Sequence, residues 1–174
     1  VHKERNLRAE SATVIDASYS RHVFSPSPLL RDFGAAIVQR ANVPAPGLKR
    51  IYVSRRDSKN RATANEADVE AFMTARGIHC VTLSGLSFPE QVALFNGAEL
   101  IVASHGAGLA NTVFCRPGTR VVEFAPTSYM NPCFLKIGQT LDLNWELYGF
   151  AAPQAARQQE ISWSVDLRFL AEVL

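Results

Sequence analysis

The run Leu100-Ile101-Val102-Ala103-Ser104 leads straight into His105-Gly106-Ala107-Gly108, and Leu109 to Phe114 follow before Pro117-Gly118. A short apolar run stopped by glycines reads as a buried strand. Glycine lets the backbone bend sharply and lets a ligand approach the main chain. The segment after it reads as a short helix, whose opening N–H groups have no partner inside the helix and face whatever anion lies above them. Strand, glycine turn and helix start therefore predict an anion cradle at the centre of the chain.

The flanking segments alternate in the same way. Ser27-Pro28 reads as a helix start, with Leu30, Phe33, Ile37 and Val38 near helical spacing. Upstream, Ala12 to Ile15 and His22 to Phe24 read as short extended pieces. Asn42 to Gly47 forms a loop, and Arg50 to Ser54 a strand. Asn65 is placed to cap a helix that carries Val69, Phe72 and Met73 and ends at Gly77. Ile78 to Leu83 reads as the next strand. Ser87-Phe88-Pro89-Glu90 is a capping box opening a helix that buries Phe88, Val92 and Phe95. Arg120 to Phe124 and Asn144 to Tyr148 read as further strands, Met130 to Leu141 and Val165 to Leu174 as helices, and Ala151 to Gln159 as loop or frayed helix. Strands alternating with helices of this length predict an α/β fold, a Rossmann-like and mostly parallel sheet with helices on both faces. Residues 1–48 read as a leading segment and helix packed on the domain formed by residues 49–174.

Composition excludes several classes. A chain of 174 residues with 47% hydrophobic and 20% charged content is globular, not disordered. No apolar run reaches the roughly 20 residues of a membrane helix, and no apolar stretch of a signal peptide follows Val1-His2-Lys3. The missing initial Met suggests a fragment or a processed piece. A net charge of +2 gives no reason to expect nucleic acid. Cys80, Cys115 and Cys133 lack paired spacing, so they read as reduced core residues of a cytoplasmic protein. There is no Asp-x-Asp pair and no metal-ligand spacing among the histidines, so no metal is expected.

In open parallel sheets, ligands bind beyond the carboxyl ends of the strands. Three polar groups fall there. Ser54, Arg55 and Arg61 follow the first strand, and the arginines suit a diphosphate through paired hydrogen bonds; the alternative is a plain exposed turn. Arg56 and Lys59 read as solvated. His105 could donate to a phosphate or only orient the turn. Asn111 could hold the glycine turn or touch a sugar hydroxyl. Glu123, at the next strand's end, could accept from ribose hydroxyls or be a surface acid. Glu66 suits the first turn of its helix and is a second-tier candidate.

The series Ser54-Arg55, Arg61, Asn65-Glu66, Gln91, His105-Gly106-Ala107-Gly108-Leu109, Asn111, Phe114, Pro117-Gly118 and Val121-Val122-Glu123 resembles glycosyltransferase family 61. The resemblance covers about residues 50–125. The family is often labelled capsular polysaccharide biosynthesis protein and includes eukaryotic N-acetylglucosaminyltransferases and plant xylan xylosyl- or arabinosyltransferases. It implies an inverting, metal-independent transfer from a nucleotide sugar, with uridine as the expected base and no further cofactor. It implies a GT-B arrangement of two Rossmann-like halves, this chain being the C-terminal, donor-binding one. The acceptor, a glycan or other hydroxyl compound, and the general base would belong to the other half. Under this reading Arg55, Arg61 and His105 act in catalysis. Ser54, Glu66, Gly106, Ala107, Gly108, Leu109, Asn111 and Glu123 bind the nucleotide. The expected place is the cytoplasm, with membrane association through a biosynthetic complex.

Two other readings compete. Gly106-x-Gly108 with a later Glu123 mimics a dinucleotide-binding oxidoreductase, although Asn111 stands where the third glycine belongs. A noncatalytic nucleotide-binding module would keep the same motifs. A lipase-like hydrolase is discounted, because no Gly-x-Ser-x-Gly elbow exists.

Overall fold

The apolar runs become the centre of one sheet. The computed structural model describes residues 29–58, 60–153, 157 and 161–174. Strands β1 (Arg50–Val53), β2 (His79–Val81), β3 (Leu100–Ser104), β4 (Arg120–Pro126) and β5 (Asn144–Phe150) lie in the order β2-β1-β3-β4-β5. Every pairing is parallel. Five helices connect or flank them: α1 (Leu29–Ala41), α2 (Glu66–Ala75), α3 (Phe88–Gly97), α4 (Cys133–Thr140) and α5 (Leu167–Val173).

Side chains alternate between the two faces of each strand, so each face builds its own core. On one face Ile51, Val53, Ile101 and Val121 pack with Leu94 and Phe95 of α3, Ile137 of α4 and the partly buried Leu30, Ile37 and Val38 of α1. On the other, Tyr52, Val102, Val122 and Phe124 pack with Val69 and Met73 of α2 and Leu170 of α5. Strands buried on both sides explain the near-continuous apolar runs of β3 and β4. The expected Rossmann-like α/β architecture is present.

Because β1 is flanked by β2 and β3, and the helices that follow β1 and β2 pack on opposite faces, the connections diverge at β1. A crevice opens beyond the carboxyl ends of the strands at such a switch point.

Several local expectations change. Residues Ala107–Phe114 form a 3₁₀ helix, with Leu109 N–H donating to Gly106 O at 3.0 Å and the Thr112 hydroxyl to Leu109 O at 2.7 Å. These i-to-i−3 bonds hold the tighter winding. The strand at Ile78 to Leu83 shrinks to β2, because Leu83–Gly85 forms a short 3₁₀ turn whose Leu83 carbonyl is held by Gln91. The helix expected from Met130 starts at Cys133, where Asn131 Oδ1 accepts from Cys133 N. Phe88 is 55% exposed and Phe33 54%, so neither belongs to the core. Phe88 instead meets the edge of Phe114 with centroids 5.7 Å apart. The expected start at Ser27-Pro28, the pieces at Ala12 to Ile15 and His22 to Phe24, Lys59, and five of the residues between Ala151 and Gln159 lie outside the described residues.

Candidate functional site

A cleft of about 350 Å³ opens at the switch point. Its walls come from the loop after β1 (residues 54–58), the turn after β2 (residues 83–84) and the stretch after β3 (residues 107–111). That size is within the range of small-ligand pockets.

Arg55 and Gly106 meet at its mouth. A Cβ on Gly106 would lie 1.7 Å from Arg55 Nη1, a position no side chain can share. Gly106 has φ 175°, which is ordinary extended backbone. Of the two expected uses of this glycine, the sharp bend is not found at Gly106, and the close approach is made by the Arg55 guanidinium where a ligand was expected. Arg55 Nη2 donates to Ser58 Oγ and Asn60 O, both at 2.8 Å, while its buried Nε has no hydrogen-bond partner among the described residues. Burial first, and then the charge of Arg61, pull the Arg55 guanidinium below its ordinary value, against the opposing charge of Glu66. A cation desolvated beside a second cation is an electrostatic invitation to an anion.

Glu66 organises the start of this loop. Its Oε1 accepts from Tyr52 hydroxyl (2.9 Å), Ser54 hydroxyl (2.9 Å) and Arg55 N–H (3.0 Å). Burial, and then Glu66, push the Tyr52 phenol well above its ordinary range. Ser54 spends its hydroxyl on Glu66 Oε1 and on Arg56 N–H, while Glu66 Oε2 is buried with no hydrogen-bond partner among the described residues. Arg56 pairs with Glu70 on the surface, as a solvated residue would.

Arg61 stands on the same side of the molecule. Its guanidinium carbon lies 4.7 Å from the centroid of the Tyr129 ring, and that ring meets the edge of His105 at 5.5 Å. His105 is buried between Tyr129 and Phe134. Its Nδ1 lies 2.5 Å from Glu123 Oε1, and Glu123 Oε2 accepts from Trp145 Nε1 at 2.9 Å. Glu123 is fully buried, with both oxygens committed. Its expected role as an acceptor for ribose hydroxyls, and its reading as a surface acid, are both corrected by this placement. Glu123 shares a sheet face with Val121, and α4 and Trp145 cover that face.

The arginine loop is pinned from a distance. Asn65 makes no cap bond; its Nδ2 donates to Val165 O (2.9 Å) and its Oδ1 accepts from Val165 N (3.0 Å). The expected capping role of Asn65 is thus replaced by a bridge across the chain. Trp163 Nε1 donates to Arg61 O, and Thr63 and Trp163 form an isolated parallel bridge. Sequence reasoning left this anchor unread, yet Ile161, Trp163 and Val165 alternate with serines at the period of a half-buried strand.

On the far wall, Asn111 Nδ2 donates to Gln91 Oε1 at 3.0 Å, and Gln91 Nε2 donates to Leu83 O and Leu86 O, each at 3.1 Å. Leu109 is buried as part of the core and lines the cleft together with Ala107 and Gly108. The structure thus brings Ser54, Arg55, Ala107, Gly108, Leu109 and Asn111 to one cleft, sets Arg61 and His105 beside it, and withdraws Glu66 and Glu123 into supporting positions. Leu83, Ser84, Asp57 and Tyr129 join the site without having been singled out in the sequence.

Among the described residues no helix is long and apolar enough to cross a membrane. The chain is 30% identical over 133 residues to a rice (Oryza sativa subsp. japonica) protein named as a beta-1,2-xylosyltransferase, covering 75% of this chain and 22% of that protein. It is 35% identical over 78 residues to a Takifugu rubripes protein O-linked-mannose beta-1,4-N-acetylglucosaminyltransferase 2, covering 43% of this chain and 13% of that one. The matched stretch thus spans less than a quarter of either relative. The sequence model of Glycosyltransferase 61 matches residues 4–122, most of the strands and all of the cleft walls. The chain therefore belongs to glycosyltransferase family 61.

Proposed function

We propose that the chain is the donor-binding part of an inverting, metal-independent glycosyltransferase. It would move a sugar from a uridine-linked donor to a hydroxyl of a glycan or similar acceptor in polysaccharide biosynthesis. The observation that carries this reading is the seat of Arg55 against Gly106 at the mouth of the switch-point cleft. In this reading the donor diphosphate lies over that contact. Arg55, the opening of the 3₁₀ segment and the neighbouring Arg61 balance the negative charge that grows on the leaving nucleotide. These groups supply the charge stabilisation that a metal ion gives other transferases, which is the basis for the metal-independent reading. His105 holds the main chain of the turn in place.

Inversion needs one displacement at the anomeric carbon, with a base taking the proton of the attacking hydroxyl. Both oxygens of Glu123 and the Oε1 of Glu66 are committed to internal partners, and Glu66 Oε2 is buried, which supports a base supplied by a facing half of the enzyme. The greater length of the relatives is consistent with such a half. Their names specify different sugars, xylosyl and N-acetylglucosaminyl, so the stretch shared with this chain suits what both donors have in common, the nucleotide. Three unpaired thiols support a reducing compartment, the cytoplasm, with any membrane association arising through a biosynthetic complex.

Calorimetry with UDP on the wild-type chain and on Arg55→Ala tests the reading. Binding by the first and a loss of at least about 10-fold in the second is expected for a charge-assisted contact. Equal affinities would overturn the role of Arg55, and no binding to the wild type would overturn the donor site.

A further inference from the structure

Arg61 is held by its backbone and by its side chain. Its φ is +51°, in the left-handed region that a side chain disfavours. Trp163 Nε1 donates to its carbonyl at 3.3 Å, and Thr63, two residues on, bridges to Trp163. Residues in that region persist only where their surroundings over-determine them, and they cluster at ligand clamps. From this fixed point the side chain runs to a ring: its guanidinium carbon lies 4.7 Å from the Tyr129 centroid. Tyr129 ends the 3₁₀ turn Thr127–Tyr129 after β4, whereas Arg61 belongs to the loop after β1. Because β3 lies between those two strands, the contact passes over its carboxyl end, where His105 and Gly106 begin the cleft turn.

Two guanidinium groups that share a site repel each other. The charge of Arg61 is felt at Arg55, where it adds to burial in pulling that group below its ordinary value. With no anion between them, Arg61 gains by turning to water. The negative face of an aromatic ring opposes that escape before any phosphate is there to do so. Resting on the donor reading above, we infer that Tyr129 is a positioning residue: its ring face holds Arg61 beside Arg55, so that an arriving diphosphate meets both cations in place. Charge set in advance needs no rearrangement when the ligand binds or the leaving group departs. The ring is set in turn by its edge contact with His105, centroids 5.5 Å apart, and His105 is fixed by Glu123. The contact with Arg61 is made by the ring's face, so it needs the ring and not the hydroxyl.

Calorimetric titration of UDP and of inorganic pyrophosphate tests this in the 174-residue chain, Tyr129→Leu, Tyr129→Phe, Arg61→Gln and the Arg61→Gln/Tyr129→Leu double variant. Tyr129→Leu should weaken both ligands by about 3- to 30-fold, the worth of one cation–π contact. Tyr129→Phe keeps the face and should stay within about twofold of wild type. In the Arg61→Gln background the leucine should cost less than about twofold, because the cation it would release is gone. A ring that served only packing would cost the same in both backgrounds. The Arg61 side-chain proton resonances give a readout that needs no ligand: the ring current of Tyr129 should shift them upfield in wild type and Tyr129→Phe, and not in Tyr129→Leu. Unchanged affinity in Tyr129→Leu, equal losses in both backgrounds, a Tyr129→Phe as weak as the leucine, or Arg61 resonances alike in all three proteins would each overturn the role of Tyr129 and leave the donor reading standing. A wild-type chain that binds neither UDP nor pyrophosphate would overturn the donor reading, and the role of Tyr129 with it.

Discussion

The carboxylate of Glu123 lies 2.5 Å from Nδ1 of His105, and both side chains are shut away from solvent. The second carboxylate oxygen is held by Trp145 Nε1. A buried carboxylate is tolerated only when its lone pairs are met, so each partner depends on the others. Glu123→Ala leaves buried His105 and part-buried Trp145 without their acceptor and is expected to lose about 3–5 kcal/mol of stability. Trp145→Phe keeps the ring and deletes one donor, for an expected loss of about 1–3 kcal/mol. Because Trp145 lines no part of the cleft, its variant should bind UDP within about twofold of wild type. Urea unfolding and calorimetry check both halves of this. A Glu123→Ala protein as stable as wild type would show that the pair is not structural.

Gly106 offers a cleaner test of the cleft than any charge removal. Its Cβ would occupy the place of Arg55 Nη1, so Gly106→Ala must displace the guanidinium. The expected result is a loss of UDP affinity of about 10- to 100-fold, the worth of one or two charge-assisted bonds. Gly118→Ala is the control. Gly118 has φ +83° but a Cβ there would touch nothing, so it should lose about 1 kcal/mol of stability and no affinity. Affinity retained by Gly106→Ala would mean that Arg55 does not act from its position on that turn.

Asn65 separates a cap from a pin. Aspartate is as good an N-cap as asparagine and favours the helix dipole, so a capping role predicts that Asn65→Asp is neutral or stabilising. The structure has the Nδ2 group donating to Val165 O instead. Asn65→Asp sets a carboxylate against that buried carbonyl, and a loss of about 1–3 kcal/mol is expected. Hydrogen exchange should quicken at the amides of Ala64 and Val165, which pair with Trp163 O and Asn65 Oδ1. Unchanged exchange would remove the anchor from the account of the arginine loop.

These residues mark where local reading stops. The strands were legible because Ile51, Ile101 and Val121 sit in runs that a sheet buried on both faces requires. The place of Arg55 at the cleft was legible because it follows a strand of a parallel sheet, beyond whose carboxyl ends clefts open. Glu123 was misread because a strand end looks the same whether its side chain meets solvent or a covering helix. Only its alternation with Val121 hinted at the buried face. The Asn65–Val165 bridge spans 100 residues and leaves no local trace. At Gly106 a bend or a ligand's approach is what the glycine suggests, since an approach by a side chain 51 positions away cannot be read from a dipeptide.

The far edge of the sheet sets an acid response of known sign. Arg120 donates from Nε to Glu146 Oε1 (2.6 Å) and from Nη2 to Oε2 (3.1 Å), and Tyr148 hydroxyl adds a third bond at 2.7 Å. Arg120 Nη2 also reaches Val173 O, tying the end of α5 to β4. The Arg120 bonds, with that of Tyr148 and against some burial, hold the Glu146 carboxyl below its ordinary value of 4.5. A carboxyl whose folded value is depressed contributes its full stabilisation above the unfolded value and loses it as pH falls through the folded one. Glu146→Gln removes that contribution at every pH. The stability gap between wild type and Glu146→Gln should therefore stay constant from about pH 7 to pH 5 and narrow steadily below about pH 4.5. Thermal unfolding of the two proteins across that range measures the gap directly. A gap that persists unchanged to about pH 3 would mean that the carboxylate's charge contributes nothing to holding α5 against the sheet.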